Sequence, residues 1–198
     1  MKFIRFKALA PVLLAGSALF SVATSTLAQE APKVKFATTA GDFVVEVYPD
    51  KAPKTVANFL QYVTDKHYDG TVFHRVINNF MVQGGGFDAK YVQKSVRAPV
   101  VHEGREALAK GLKNTVGTLA MARTNDPHSA TAQFFINVAD NAFLDPNAQS
   151  SGYTVFGKVV SGMDVIQKIK TSPTGSGGPF PTDVPKTPIF VNSATLVK

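Results

Sequence analysis

The residues best suited to chemistry lie together in the segment 73–86, which reads Phe-His-Arg-Val-Ile-Asn-Asn-Phe-Met-Val-Gln-Gly-Gly-Gly. Successive side chains of a strand point to opposite faces, so Arg75 shares one face with the apolar residues two positions away on either side. After a turn at the Asn-Asn pair, Met81 and Gln83 can share a face as well. An arginine and a glutamine therefore converge with large apolar side chains.

Two later segments can complete a pocket around these residues. The segment 117–123 ends in Met-Ala-Arg, and the segment 133–137 reads Gln-Phe-Phe-Ile-Asn. Apolar walls with a few polar donors are the usual composition of a ligand site. The pattern therefore predicts a binding pocket built from three separate stretches of the chain.

Other groupings of reactive residues are weaker indications of a function. The glycines at 84–86 could suggest a phosphate loop, but no Gly-Lys-Ser/Thr follows them, which favours a turn or a close backbone approach. Asp126, His128 and Ser129 have the residue types of a hydrolytic triad, yet they adjoin in one polar loop, and a triad depends on three-dimensional geometry. The four histidines show no metal-ligand spacing, so no metal site is expected. His74 falls on the opposite face of its strand from the arginine and is interpreted as structural.

Most of the remaining chain is predicted to form short strands rich in Val, Ile, Phe and Thr. The first of two expected helices begins near Pro53, which a first helical turn tolerates, and its apolar residues recur at helical spacing. The second helix covers Met163–Lys170, while the segments 88–115 and 171–188 are interpreted as loops. The predicted strands are 34–38, 43–48, 72–77, 80–83, 118–122, 133–138, 154–160 and 189–197.

These elements favour an all-β fold. About eight strands and two amphipathic helices suggest a closed antiparallel barrel whose open ends are capped by the two α-helices. Periodicity alone leaves a β-sandwich nearly as well supported. Because no internal repeat or linker is present, residues 29–198 are expected to form one domain.

Residues 1–28 have the three parts of a secretory signal peptide: a basic start, an apolar run over 8–22, and small residues up to Ala28. The alternative is an N-terminal membrane anchor. The apolar run is about 15 residues, which is shorter than the 18 or more that a spanning helix usually needs. Cleavage after Ala28 is therefore expected, with no stable membrane insertion afterwards.

Charge and cysteine content exclude several classes of function. The chain has 21 basic and 14 acidic residues, a net charge of +7, and three of the basic residues lie in the signal peptide. The domain therefore carries about +4 without a dense basic run, so nucleic acid is not an expected partner. The absence of cysteine excludes disulfides, thiolate nucleophiles and cysteine-ligated metals.

Several separated motifs point to a known family. The run Phe-His-Arg-Val-Ile-x-x-Phe-Met-x-Gln-Gly-Gly is followed by Met121-Ala122, by Gln-Phe-Phe-Ile at 133–136 and by Val-Phe-Gly-Lys-Val at 155–159. In this order the motifs resemble those of the cyclophilins, and the match covers about 34–197. With its leading segment, the chain looks most like the periplasmic cyclophilins of bacteria. The resemblance implies a peptidyl-prolyl cis/trans isomerase that needs no cofactor.

The resemblance also implies roles for individual residues. Arg75 is expected to be the catalytic arginine, and Gln83 and Gln133 are expected to be polar contacts beside the bound peptide. The backbone at Ala122 and Arg123 is expected to pair with the backbone of the substrate. The side chains expected to hold the substrate's proline ring are Phe80, Met81, Phe135 and Leu144, with Phe143 and Tyr153 at the rim.

The sequence departs from the best-known cyclophilins at four places, none of which removes the arginine or the proline pocket. Phe143 stands where those proteins have tryptophan, Tyr153 where they have histidine, and Arg123 where they have asparagine. The usual Pro-Gly turn is Asn78-Asn79 here. Because the tryptophan contacts cyclosporin in sensitive relatives, its replacement by Phe143 implies weak binding of that drug.

Three classes of function remain compatible with the sequence. The first is the isomerase, acting on proline-containing polypeptides and unfolded exported proteins. The second is a holdase chaperone that uses the same groove without essential catalysis, and the third is a hydrolase of exported substrates. The intact Arg75 favours the enzyme over a simple binder. The protein is expected to be a periplasmic monomer, with secretion from the cell as the alternative location.

Overall fold

The structure is a computed structural model that describes residues 1–2 and 30–197. The predicted signal peptide therefore lies almost wholly outside the described residues. Within the described ranges, no helix is long and apolar enough to cross a membrane.

Eight strands form one antiparallel sheet, in agreement with the strand-rich sequence pattern. Along β2 (Gly41–Val47) the apolar side chains Phe43, Val45 and Val47 are buried, as expected for a strand with one face toward the core. In spatial order the strands are β10 (Val191–Val197), β1 (Lys33–Thr38), β2 (Gly41–Val47), β7 (Val155–Ser161), β5 (Thr118–Met121), β6 (Phe134–Asn137), β4 (Met81–Gly84) and β3 (Arg75–Ile77).

The prediction of a closed barrel is wrong, because the sheet has two unpaired edges, β3 and β10. β3 contains only three residues, which leaves little backbone to pair with a second neighbour. The chain just before β3 meets the start of β10 through an isolated bridge between Val72 and Phe190 and a few backbone hydrogen bonds. Next to this bridge, Phe73 N–H donates to the Ile189 carbonyl at 3.0 Å. A contact this short does not continue the ladder, so the sheet is an open, curved half-barrel.

The two main helices pack where the apolar spacing predicts. α1 (Pro53–Thr64) has proline at its start and buries Val56, Phe59 and Val63. The helix Met163–Lys170, which becomes α3 in chain order, buries three aliphatic side chains in the same way. Tertiary burial of one face stabilises helices of this length, which would be marginal alone.

A further short helix, α2 (Gly104–Ala109), lies in a segment that the sequence pattern assigned to a loop. It is too short to display an apolar period. Glu103, directly before it, is buried, and its carboxylate accepts hydrogen bonds from the backbone N–H groups of Lys54 (3.1 Å) and Thr55 (2.7 Å). These are unpaired donors at the N-terminus of α1, where the helix dipole favours a negative charge.

The second segment assigned to a loop contains a two-stranded hairpin, β8 (Thr174–Gly177) and β9 (Phe180–Pro185). Its glycine and proline content does not resemble the β-branched composition of most strands. β9 packs against β3, the strand that carries Arg75. The hairpin therefore covers one edge of the half-barrel beside the predicted site.

Aromatic rings dominate the core between the sheet and α1. Phe36 and Phe43 stack with ring centroids 5.0 Å apart, and Phe59 lies 5.1 Å from Phe156. Ring pairs at such distances add to the free energy gained by burying their area. This closely packed core supports the strands β3 to β6, which carry the predicted site.

Candidate active site

Arg75 and Gln83 lie directly opposite each other across the hairpin formed by β3 and β4. Ile77 pairs with Met81 nearer the turn. In the turn, Asn79 has a φ of 60°, a left-handed conformation that asparagine adopts more readily than most residues. Strand alternation thus brings the arginine and the glutamine together, as the sequence pattern predicts.

A cavity of about 180 Å³ opens beside this hairpin. It draws its walls from β3, β4, β6, the chain just after β5 and the short 3₁₀ turn Ala142–Leu144. Of the residues that the resemblance assigned to the site, only Gln133 and Phe143 do not line it. The lining residues are Arg75, Phe80, Met81, Gln83, Ala122, Arg123, Phe135, Leu144 and Tyr153.

Large apolar side chains form part of the inner surface of this cavity. Met81 and Phe135 are buried, and the ring of Phe135 meets that of Tyr153 edge-to-face with centroids 5.5 Å apart. Phe143 is 67% exposed, and its ring stacks on Phe80 at 5.7 Å. Phe143 therefore extends the wall outward at the rim. The cavity suits a small apolar ring held between aromatic and aliphatic side chains.

Arg75 places a fixed positive charge in this apolar setting. Its side chain is half exposed, and its Nε lies 3.9 Å from Oδ2 of Asp183 on β9. Among the described residues, no hydrogen bond occupies its terminal nitrogens, so these donors remain available to a ligand. A guanidinium stays protonated and presents its donors in a rigid planar fork.

Gln83 and Gln133 join the cavity to a second one of about 260 Å³. Gln83 Nε2 donates to Gln133 Oε1 at 3.0 Å, and Gln133 lines the second cavity rather than the first. The two cavities share Gln83, Ala122 and Arg123. They therefore adjoin at these three residues, and the two cavities together are called the groove.

Arg123 stands where the two cavities meet. Its Nε donates to the Gly152 carbonyl at 2.9 Å, and its guanidinium lies over the Tyr153 ring, 4.7 Å from the centroid. The backbone N–H of Ala122 donates to the Gln133 carbonyl at 3.0 Å, which fixes the chain just before it. The side chain of Arg123 is thus held in place at the wall of the groove.

His74 is the residue just before β3. It is buried and does not line the cavity. Its ring packs between those of Phe87 (4.7 Å) and Phe180 (5.3 Å). Burial lowers the pKa of His74 to about 4, and the neighbouring Arg75 charge acts in the same direction. A neutral, buried imidazole of this kind does not act as a base in the cavity, which agrees with the structural role that strand parity indicates.

The residues Asp126, His128 and Ser129 do not form a triad. The Ser129 hydroxyl donates to the backbone carbonyl of Asp126 at 2.7 Å, and the carboxylate of Asp126 accepts from the backbone N–H of His128. Nδ1 of His128 accepts from the backbone N–H of His102. The first two are turn contacts, the third joins distant segments, and none links an imidazole to the serine hydroxyl. In the described part of the chain, no group of three or more potential ligand residues is placed to hold a metal.

Asp183 is the site neighbour that sequence reasoning missed. It lies in β9, in a segment that the sequence pattern predicts to be a loop, and its φ is 68°. Nothing in the local sequence distinguishes it from any other surface acid, since its importance comes from the packing of β9 on β3.

Comparison with known proteins agrees with this fold. Residues 33–196 match the family described as cyclophilin type peptidyl-prolyl cis-trans isomerase/CLD. Peptidyl-prolyl cis-trans isomerase B of Escherichia coli is 52% identical over 166 residues, covering 82% of this chain and 98% of that protein. Peptidyl-prolyl cis-trans isomerase A of Dickeya dadantii is 47% identical over 186 residues, covering 94% and 92%.

The fold is also found in solved structures. The cyclophilin type peptidyl-prolyl cis-trans isomerase of Cryptosporidium parvum superposes with a TM-score of 0.67 at 22% identity, covering 85% of this chain and 98% of that one. The half-barrel with two main helices is therefore the cyclophilin fold. The chain belongs to the cyclophilin family, and it is a peptidyl-prolyl cis-trans isomerase.

Proposed function

We propose that the cavity beside β3 and β4 is the site of prolyl isomerisation, with Arg75 as its catalytic residue. The observation that carries the proposal is the placement of Arg75. Its terminal donors are unoccupied by the described residues, and Arg75 lines a cavity whose other walls include large apolar side chains.

Prolyl isomerisation needs little more than this arrangement. The peptide C–N bond has partial double-bond character and a rotation barrier of about 18–20 kcal/mol. In the twisted transition state resonance is lost, so the prolyl nitrogen becomes pyramidal and gains a lone pair. A fixed cationic donor from Arg75 to that nitrogen binds the twisted state more tightly than the planar one, and such differential binding lowers the barrier. No covalent bond forms or breaks, and no proton is transferred.

The other site residues hold the substrate while the preceding carbonyl rotates. We propose that the apolar walls bind the ring, that Gln83 and Gln133 contact the peptide beside it, and that the backbone at Ala122 and Arg123 pairs with the substrate backbone. The side chains proposed for the ring pocket and its rim are Phe80, Met81, Phe135, Leu144, Phe143 and Tyr153.

The stabilisation of the transition state that this reaction requires is moderate. Each tenfold acceleration needs about 1.4 kcal/mol, so an acceleration of about 10⁵ needs roughly 7 kcal/mol. Deleting one preorganised donor in other enzymes costs about 2.7–4 kcal/mol. One charge-assisted donor therefore supplies about half of the total, and positioning with exclusion of water supplies the remainder.

We further propose that residues 1–28 are removed on export and that the monomeric domain 29–198 assists the folding of exported proteins in the periplasm. The basic start and the short apolar run of the leading segment support export. Unfolded chains are suitable substrates because X-Pro bonds in them populate both isomers and exchange over tens to hundreds of seconds.

A holdase role is the second candidate, and one observation favours it. Phe143 is an exposed ring stacked on Phe80, so the rim offers apolar surface to an unfolded chain beyond the proline cavity. Such a role would not depend on Arg75.

The test follows the slow refolding phase of a denatured protein that has a native cis-proline. The wild-type protein should shorten that phase at substoichiometric concentration, whereas Arg75→Ala should not. A variant that suppresses aggregation equally well without shortening the phase would favour the holdase. Cell fractionation with intact-mass measurement should find a periplasmic chain that begins at Gln29. Recovery of the full-length chain from the cytoplasm would contradict export.

A further inference from the structure

Arg123 is a second cation in the substrate groove, and its placement bears on which substrates the enzyme prefers. The first cavity is lined by Arg75 and Arg123, and the second by Arg123, while no acidic side chain lines either one. A groove with one sign of charge in low-dielectric walls focuses its field on the ligand. A negatively charged peptide is therefore favoured over a neutral one.

The positive charges of the two arginines are compensated to different extents. Arg75 has Asp183 within 3.9 Å. Arg123 takes part in none of the ion pairs among the described residues. The nearby Asp126 instead accepts the backbone N–H of His128 at 2.8 Å. The charge of Arg123 is thus the less compensated of the two.

The guanidinium of Arg123 is preorganised but not saturated. Nε donates to the Gly152 carbonyl at 2.9 Å and Nη1 to the Thr124 carbonyl at 2.8 Å, while the plane rests on the Tyr153 ring. No acceptor among the described residues occupies Nη2. An arginine held in this way loses little side-chain entropy when it binds a carboxylate, because its fork is already oriented.

The position of Arg123 also sets the distance from the proline. The two cavities share Gln83, Ala122 and Arg123, so a chain whose proline sits in the first cavity passes Arg123 on its way into the second. An extended chain advances about 3.3 Å per residue. A carboxylate one or two residues from the proline therefore comes within reach of the guanidinium.

We infer that the side chain of Arg123 makes the enzyme selective for proline-containing polypeptides that carry an aspartate or glutamate within two residues of the proline. This inference rests on the proposed function, since it takes the first cavity as the proline site. It adds a substrate class, acidic flanks of X-Pro bonds, and names Arg123 as the residue that distinguishes it.

The test compares capped peptides in pairs, Glu against Gln, at the two positions before and the two after the proline. The readout is the ratio of kcat/KM for the Glu and Gln peptides of one pair. In the wild-type enzyme this ratio should reach about 2 to 5 on the flank that enters the second cavity, which is the scale of a partly exposed ion pair. It should fall toward one as salt is raised.

Variants assign the preference to Arg123. The ratio should fall to about one in Arg123→Gln and be partly kept in Arg123→Lys. The control is Lys158→Gln, which removes an exposed charge outside the groove and should keep the wild-type ratio. A general loss of activity in Arg123→Gln lowers kcat/KM for the Glu and Gln peptides alike, so it does not change their ratio. If circular dichroism shows that Arg123→Gln does not fold, the ratio in Arg123→Lys and the salt dependence of the wild-type ratio test the inference instead.

The possible failures are distinguishable. A wild-type ratio of one at all four positions, with Gln peptides turned over normally, would overturn the inference alone. A ratio unchanged in Arg123→Gln would overturn the assignment to that residue. The absence of isomerisation with every peptide would overturn the proposed site and this inference with it.

Discussion

Nε of Arg75 lies 3.9 Å from Oδ2 of Asp183, although the two residues are more than a hundred positions apart in the chain. The pair joins β3 to the hairpin strand β9, and both side chains are partly exposed. At this distance the carboxylate does not saturate the guanidinium. Asp183 is therefore positioned to orient Arg75, and the terminal donors of Arg75 have no acceptor among the described residues.

Replacing Asp183 by Asn should lower kcat/KM by about two- to fivefold, mainly through kcat, because a partly exposed pair contributes up to about 1 kcal/mol. Asparagine tolerates the positive φ at this position, so the fold should survive. Asp50→Asn removes a charge that lines neither cavity and should leave the rate unchanged. A rate equal to wild type, or a loss as large as that of Arg75→Ala, would contradict a positioning role.

The sheet and the two main helices could be predicted because their sequences have regular periods. Phe43, Val45 and Val47 alternate along β2, and Val56, Phe59 and Val63 recur with helical spacing along α1. The closure of the barrel could not be predicted in this way. Whether an edge strand finds a partner depends on distant backbone, here on the short contact between residues 70–73 and 189–191.

The candidate site could be located from sequence because Arg75 and Gln83 lie on one hairpin, where alternation and turn length fix their register. The contact with Asp183 could not be predicted, because it depends on the packing of a glycine- and proline-rich hairpin against β3. The same holds for the electrostatics of Arg123, since its partners Gly152 and Tyr153 approach only in the folded chain.

The buried His74 makes stability depend on pH. Burial lowers its pKa to about 4 in the folded protein, whereas the unfolded chain binds the same proton near pH 6.5. Between these values the unfolded state holds more protons, so this contribution is fully present above pH 6.5 and is lost as pH falls to about 4. The free energy of unfolding should fall by up to about 3 kcal/mol across that window from His74 alone.

His74→Phe isolates this contribution, because a phenyl ring can occupy the space between Phe87 and Phe180. Urea unfolding at pH 7 and pH 4.5 should show a clearly smaller loss of stability in the variant than in the wild type. Burial also lowers the pKa values of His67 and His102, so part of the slope should remain. An unchanged slope in His74→Phe would contradict the assignment.

Cyclosporin should inhibit the enzyme weakly, because Phe143 lacks the indole N–H that the tryptophan of sensitive relatives offers. Its ring already stacks at the rim on Phe80, so Phe143→Trp should place an indole there without disturbing the core. One added hydrogen bond contributes about 1 kcal/mol, and the larger ring adds contact area, so inhibition should improve at least about fivefold. Titration of both proteins checks this. Strong inhibition of the unaltered enzyme, or no gain from tryptophan, would count against it.

The most direct test of the account is kcat/KM for a cis-proline peptide with wild type, Arg75→Ala and Arg75→Lys between about pH 6 and 9. Arg75→Ala should remain folded by circular dichroism and lose about 10²–10³-fold, and Arg75→Lys should recover only part of the loss because an ammonium lacks the planar fork. The wild-type rate should be nearly flat with pH, since no proton is transferred and arginine does not titrate there. A folded Arg75→Ala variant with near-wild-type activity, or a rate that rises steeply near pH 6.5, would contradict the account.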